Sequence, residues 1–145
     1  MLVSMAMSSN VIFLTPDDTA ARAARLLMRH NIGALPVCSK DGRLRGLVTD
    51  RDITLRCVAL DNPPEETKLR EIMTRGVVSI APHDDITDAL KLMSAEQIFR
   101  LPVVENNHVI GIISLSDIFL HSNCKSEISS ALTEIFLPNN RYRKK

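Results

Sequence analysis

Apolar positions along this chain alternate between helical spacing and short unbroken runs, and the same succession of patterns occurs twice. Val11-Ile12-Phe13-Leu14 is a short β-rich run closed by Thr15-Pro16, and Val77-Val78-Ser79-Ile80 is a second one closed by Ala81-Pro82. Acidic pairs follow, Asp17-Asp18 and Asp84-Asp85, placed where the positive end of a helix favours carboxylates. Ala20, Ala23, Ala24 and Leu27 then fall at i, i+3, i+4 and i+7, as do Ile86, Ala89, Leu90 and Met93, which predicts an amphipathic helix in each place. Two apolar runs come next, Ala34-Leu35-Pro36-Val37-Cys38 and Leu101-Pro102-Val103-Val104. Turn residues Lys40-Asp41-Gly42 and Glu105-Asn106-Asn107 fold them back as hairpins onto residues 44–48 and 109–113. A final helix is predicted from Asp50-Arg51-Asp52 in one stretch and from Ser116-Asp117 in the other.

The two stretches align at an offset of 66 residues up to the turn after Cys38 and at 65 from Gly46 onward. Identical pairs include the punctuating residues Pro16/Pro82, Asp18/Asp84, Pro36/Pro102, Gly46/Gly111 and Asp52/Asp117, so the repeat is structural. Each copy reads β-α-β-β-α, an α+β unit (of α/β type) too small to be secure alone. Two pseudo-symmetric copies packed sheet to sheet would bury their open faces. Residues 5–56 form the first repeat and residues 69–121 the second. Residues 57–68, with Asn62-Pro63-Pro64, read as a polar linker. Residues 122–145 are a short amphipathic helix through Ile128, Ala131, Leu132 and Ile135, followed by the basic tail Arg141-Tyr142-Arg143-Lys144-Lys145.

With 45% apolar residues the chain has material for a core, but aromatics are only 3%, so aliphatic side chains must build it. That scarcity removes the stacking platforms of single-strand binders. The balance of 18 Lys+Arg against 17 Asp+Glu argues against nucleic acid as a partner. Cys38, Cys57 and Cys124 are too scattered for zinc-ligand spacing and odd in number for a disulfide framework, which suits a reduced, cytoplasmic setting. Residues 1–7 are apolar but lack the basic start of a signal peptide, and no run reaches membrane-spanning length. The four histidines show no ligand spacing, so no metal site is expected. With no phosphate-binding glycine loop of the GxxxxGK[ST] kind, no GxSxG and no nucleophile–base spacing, the chain reads as a non-enzyme needing no cofactor.

Two places carry chemistry. Thr49-x-x-Asp52 and Ser114-x-x-Asp117 set a hydroxyl and a carboxylate three residues apart where a strand passes into a helix. Such residues are ordinary N-caps. They also suit a sugar phosphate, since an ionised carboxylate can accept from both ribose hydroxyls while hydroxyl and backbone N–H groups meet the phosphate. Arg100, ahead of Leu101-Pro102, would add a charge-assisted phosphate contact.

This doubled arrangement resembles the cystathionine-β-synthase (CBS) domain family, in the form of a stand-alone tandem pair, the Bateman module. The resemblance rests on Ile32-Gly33-Ala34-Leu35-Pro36-Val37 with Gly46-Leu47-Val48-Thr49-Asp50-Arg51-Asp52-Ile53. Its second-copy counterparts are Ile98-Phe99-Arg100-Leu101-Pro102-Val103 and Gly111-Ile112-Ile113-Ser114-Leu115-Ser116-Asp117-Ile118. It implies a regulatory, energy-sensing module that binds AMP, ADP or ATP in clefts between the repeats and signals to a partner protein through a conformational change. S-adenosylmethionine, NAD, or a ligand-free dimerisation role are the alternatives. It implies one cleft of Thr49, Arg51 and Asp52 with Arg75, Gly76, Val77, Ile98, Phe99 and Arg100. The other would join Ser114, Ser116 and Asp117 to Ser9, Asn10, Val11, Ile32 and Gly33. Gly33-Ala34 stands where the second copy has Phe99-Arg100, so the two clefts are not equivalent. The resemblance also implies a homodimer, a disc of four repeats.

Overall fold

The computed structural model describes residues 1–138; the basic tail, Arg141 to Lys145, lies outside the described residues. In chain order the elements are α1 (Val3–Ala6), α2 (Ala20–His30), β1 (Ala34–Cys38), β2 (Leu44–Thr49) and α3 (Asp50–Ile53), which widens into a π-helical turn (Thr54–Val58). Then come α4 (Leu69–Ile72), α5 (Ile86–Glu96), β3 (Arg100–Glu105), β4 (His108–Ser114), α6 (Leu115–His121) and α7 (Lys125–Phe136). The chain is thus a mixed helix-and-strand structure with two small sheets, β1-β2 and β3-β4.

Local chemistry sets these bounds. Thr19 caps α2 by accepting from the Arg22 N–H, and Asp85 caps α5 by accepting from the Thr87 N–H. Both helices end on a left-handed residue, Asn31 (φ 51°) and Gln97 (φ 56°), at equivalent places in the two copies. The hairpin turns use Gly42 at φ 87° in one copy and Asn106-Asn107 at φ 51° and 65° in the other.

The runs 11–14 and 77–80, expected as strands, contract to single parallel bridges, Leu14 with Val37 and Ile80 with Val103. Proline is the physical reason. Leu14 donates to the Pro36 carbonyl and accepts from the Cys38 N–H, and the next rung would need an N–H that Pro36 lacks. Ile80 stands in the same relation to Pro102 and Val104.

The chain forms two compact units, and their bounds do not follow the sequence copies. One contains residues 1–10, 79–105 and 110–138; the other contains residues 11–78 and 106–109. The segment ahead of each copy therefore packs with the other copy's elements. Ser8 bridges Ile112 in the first unit, and Thr74 bridges Leu47 in the second. The repeated glycine admits these segments: a Cβ on Gly46 would lie 2.5 Å from the Thr74 carbonyl oxygen, and one on Gly111 would lie 2.8 Å from that of Ser8.

The unit of residues 11–78 is centred on buried Leu14, Leu27, Leu35, Val37, Val48, Leu69 and Ile72. The other unit buries Ile86, Met93, Leu101, Val103, Ile113 and Ile118, and α7 adds Ile128, Ala131 and Ile135. Residues 57–68 are held down rather than free: Ala20 and Ala21 donate to the carbonyls of Thr67 and Pro64, and Arg25 pairs with Glu65 at 3.0 Å. Among the described residues no helix is long and apolar enough to cross a membrane.

Candidate functional site

Both hydroxyl–carboxylate pairs are built as reciprocal caps. Thr49 Oγ1 accepts from the Asp52 N–H at 3.0 Å while Asp52 Oδ2 accepts from the Thr49 N–H at 3.0 Å. Ser114 Oγ accepts from the Asp117 N–H at 3.1 Å, and Asp117 Oδ2 accepts from the Ser114 N–H at 2.9 Å. The capping role is therefore real in each copy.

Beyond the cap the copies diverge. Asp52 is buried, 8% exposed, and both of its oxygens accept from the Thr74 hydroxyl at 3.2 Å. The Arg56 guanidinium lies 3.9 Å from Oδ1. Asp117 is half-buried, and its Oδ1 accepts no hydrogen bond from the described residues. Its counterpart to Arg56 is His121, whose Nδ1 meets the Asp117 carbonyl instead, at 2.8 Å. Ser8, at the position of Thr74, makes only backbone bonds among the described residues, with Ile112. So one carboxylate is fully engaged by its own unit, and the other has a hydrogen-bonding edge open.

Around Asp117 the same unit gathers Ser116, Ser9 and Asn10, expected beside it, and also Ile98, Phe99 and Arg100, which the resemblance assigned to the cleft of Asp52. Ser116 Oγ lies 2.8 Å from Ser114 Oγ, and the Leu115 N–H donates to the Phe99 carbonyl at 2.8 Å, which joins the loop 98–100 to the start of α6. Arg100, at the head of β3, is half-buried, and its side chain has no ion-pair or hydrogen-bond partner among the described residues. Ser9 and Asn10 are exposed members of this unit. The Phe99 ring packs on Phe136 of α7 with centroids 5.5 Å apart, and the Gln97 side-chain amide donates to the carbonyls of Glu134 and Leu137. The hold of the C-terminal helix on this loop escapes sequence reasoning, because it joins segments almost forty residues apart.

The other unit holds Thr49, Arg51, Asp52, Arg75, Gly76 and Val77, with Val11, Ile32 and Gly33. The Asp50 N–H donates to the Gly33 carbonyl at 3.1 Å, the counterpart of the Leu115–Phe99 bond. Ile32 is exposed, and Gly76 is exposed at φ 65°. Thr74 turns its hydroxyl to Asp52, whereas Arg75 donates to the Arg70 carbonyl at 3.1 Å. A cavity of about 410 Å³ near the start of α5 and the α6–α7 turn contains none of the residues expected to bind ligand. Among the described residues no group of three or more His, Cys, Asp or Glu side chains is placed to hold a metal ion.

Comparison with known proteins agrees with the duplicated architecture. The family model of the CBS domain matches residues 3–58 and again residues 69–123. A CBS domain-containing protein of Bacillus subtilis, YhcV, is 39% identical over 89% of this chain and 91% of its own length. Hypoxic response protein 1 of Mycobacterium tuberculosis is 31% identical over 79% of this chain and 80% of that protein. A CBS domain pair crystallised in complex with 5′-methylthioadenosine and S-adenosyl-L-methionine aligns at a TM-score of 0.75 with 30% identity, covering 83% of this chain and 94% of that one. Two matches of one family model, in register with the repeat and with α2–α3 and α5–α6 as corresponding pairs, place this chain in the CBS-domain family as a tandem pair.

Proposed function

We propose that this chain is a non-enzymatic regulatory module that binds an adenosine-containing ligand, AMP, ADP or ATP, at the hydroxyl–carboxylate motif of its second copy. One observation carries the reading: Asp117 keeps an open oxygen where its duplicate Asp52 is closed by Thr74 and Arg56. Asp117 Oδ1 accepts from ribose hydroxyls, with the Ser116 hydroxyl beside it. Arg100, without an internal partner, meets phosphate through a charge-assisted contact. The adenosine class is supported by the neighbour crystallised with two adenosine-bearing ligands, and the unpaired Arg100 favours a phosphorylated member of that class. Binding acts as a signal to a partner protein when the ligand prefers one of two conformations.

Calorimetric titration with AMP, ADP, ATP, NAD and S-adenosylmethionine tests this. Asp117→Asn weakens binding of the preferred ligand about tenfold or more, because a hydrogen bond to a charged acceptor is lost. Heat from none of these ligands, or equal affinity in wild type and Asp117→Asn, overturns the proposal.

A second reading, a ligand-independent dimerisation module, draws on exposed apolar side chains: Leu55, Val58 and Leu60 in one unit, and Phe119 and Leu120 in the other. Light scattering separates the two readings. A dimer indifferent to every nucleotide supports the second alone.

A further inference from the structure

The unit of residues 11–78 carries a basic cavity apart from both capping motifs and from the site proposed at Asp117; of its lining residues only Arg75 was expected in a ligand cleft. It has a volume of about 300 Å³ and is lined by Lys40, Arg45, Arg70 and Arg75, with Asp17 as its one carboxylate. Asp17 is already engaged: it pairs with Arg70, and Lys68 approaches it at 3.8 Å. Arg75 donates to the Arg70 carbonyl, and neither Lys40 nor Arg45 has a carboxylate partner among the described residues. Three cations without a counter-charge therefore face one small, solvent-open space, an arrangement of mutual repulsion unless an anion enters.

The second copy supplies an internal control. Positions 45, 70 and 75 correspond to Ile110, Ser4 and Ser9, so the same fold forms without any of these guanidinium groups. Folding does not ask for the cations, and their gathering around one cavity calls for another cause. Arg side chains present planar forks matched to phosphate oxygens. A volume at the low end of ligand pockets limits the occupant to a small one, and three uncompensated positive charges call for more than a single phosphate.

We infer that the cavity bordered by Lys40, Arg45 and Arg75 is a binding site for a small anion bearing two or three phosphate groups, distinct from the site at Asp117. Inorganic triphosphate at low salt is the probe, and calorimetry on the full chain is the readout. Wild type binds it, and Arg45→Ile with Arg75→Ser, which installs the second copy's own residues, weakens binding at least about tenfold. Lys40→Ala gives a smaller loss in the same direction. Arg29→Ala, which removes an exposed cation of α2 outside the cavity, binds as wild type does. Thermal melts verify that the double variant folds, and Lys40→Ala carries the test if it does not. Absence of triphosphate binding by wild type, undiminished binding by a folded double variant, or an equal loss in Arg29→Ala overturns the inference. So does capture by phosphatidylglycerol vesicles without any triphosphate binding, which would assign the cations to a lipid surface. Asp117→Asn retains triphosphate binding, so failure of the adenosine reading leaves this site standing and is distinguishable from its own failure.

Discussion

Replacing Asp52 and Asp117 by alanine, one at a time, perturbs two residues that are equivalent in sequence and unequal in structure. Each loses a reciprocal helix cap, which costs about 1 kcal/mol. For Asp117 that is the main loss, since its other oxygen has no partner among the described residues. Asp52 also loses the Thr74 hydroxyl bond, at 3.2 Å to a charged acceptor, worth about 1.5 kcal/mol. The Arg56 contact at 3.9 Å is half-exposed and adds little. Asp52→Ala thus costs about 2.5 kcal/mol against about 1 kcal/mol for Asp117→Ala. At about 4 °C per kcal/mol for a chain of this size, melting temperatures fall by about 10 °C and about 4 °C. Far-ultraviolet circular dichroism melts without ligand measure both. A double-mutant cycle of Asp52→Ala with Thr74→Val returns a coupling near 1.5 kcal/mol. Equal losses at the two positions, or no coupling between Asp52 and Thr74, would refute the claim that only Asp117 is open.

Four further outcomes follow from the packing. Gly46→Ala forces a methyl group to within 2.5 Å of the Thr74 carbonyl oxygen and disrupts the Leu47–Thr74 bridge. A loss of about 1–3 kcal/mol in urea unfolding is expected, whereas a wild-type midpoint would contradict the close approach. Burial pushes the Cys38 thiol from 9.0 up to about 11, so the fold favours the protonated form. Its contribution is complete below about pH 9 and is lost as pH rises toward 11, which melts recorded across that window detect. In the native state half-buried Cys124 labels with a thiol reagent, while Cys38 and Cys57 label only after denaturation. Phe136→Ala removes the ring packed on Phe99 and lowers stability by about 0.5–1.5 kcal/mol; an unchanged melt would show that α7 does not hold the loop.

The helices, hairpins and repeat were legible in the sequence because they depend on local rules. The spacing of Ile86, Ala89, Leu90 and Met93 marks a buried face, and Asn106-Asn107 marks a turn that needs left-handed residues. The exchange of residues 1–10 and 69–78 between the copies was not legible, because it is made by backbone bonds between distant segments, Ser8 with Ile112 and Thr74 with Leu47. The residues themselves left one trace of it, the paired glycine, Gly46 and Gly111; the grouping of Ser9 and Asn10 with Asp117 and of Arg75 with Asp52 came from the resemblance. Leu-Pro-Val was visible in both copies as a core run. That each proline also ends a ladder on its neighbour follows only from knowing which strand edge meets Leu14 or Ile80.

The site was legible as a pair of motifs, with one asymmetry in Gly33-Ala34 against Phe99-Arg100, but the difference between the two carboxylates was not. Thr49/Asp52 and Ser114/Asp117 read alike, yet their difference is set by Thr74 against Ser8 and by Arg56 against His121, residues outside either motif. Arg75 was grouped with Asp52 by resemblance. The two lie in the same unit, where the Thr74 hydroxyl donates to Asp52 and Arg75 donates to the Arg70 carbonyl.

A crystal grown with AMP measures the central claim most directly. Ligand density is expected with ribose oxygens within hydrogen-bonding distance of Asp117 Oδ1, with the Asp52–Thr74 contact unchanged. A ribose seated on Asp52, or an Asp117 still without any partner at saturating AMP, would contradict it.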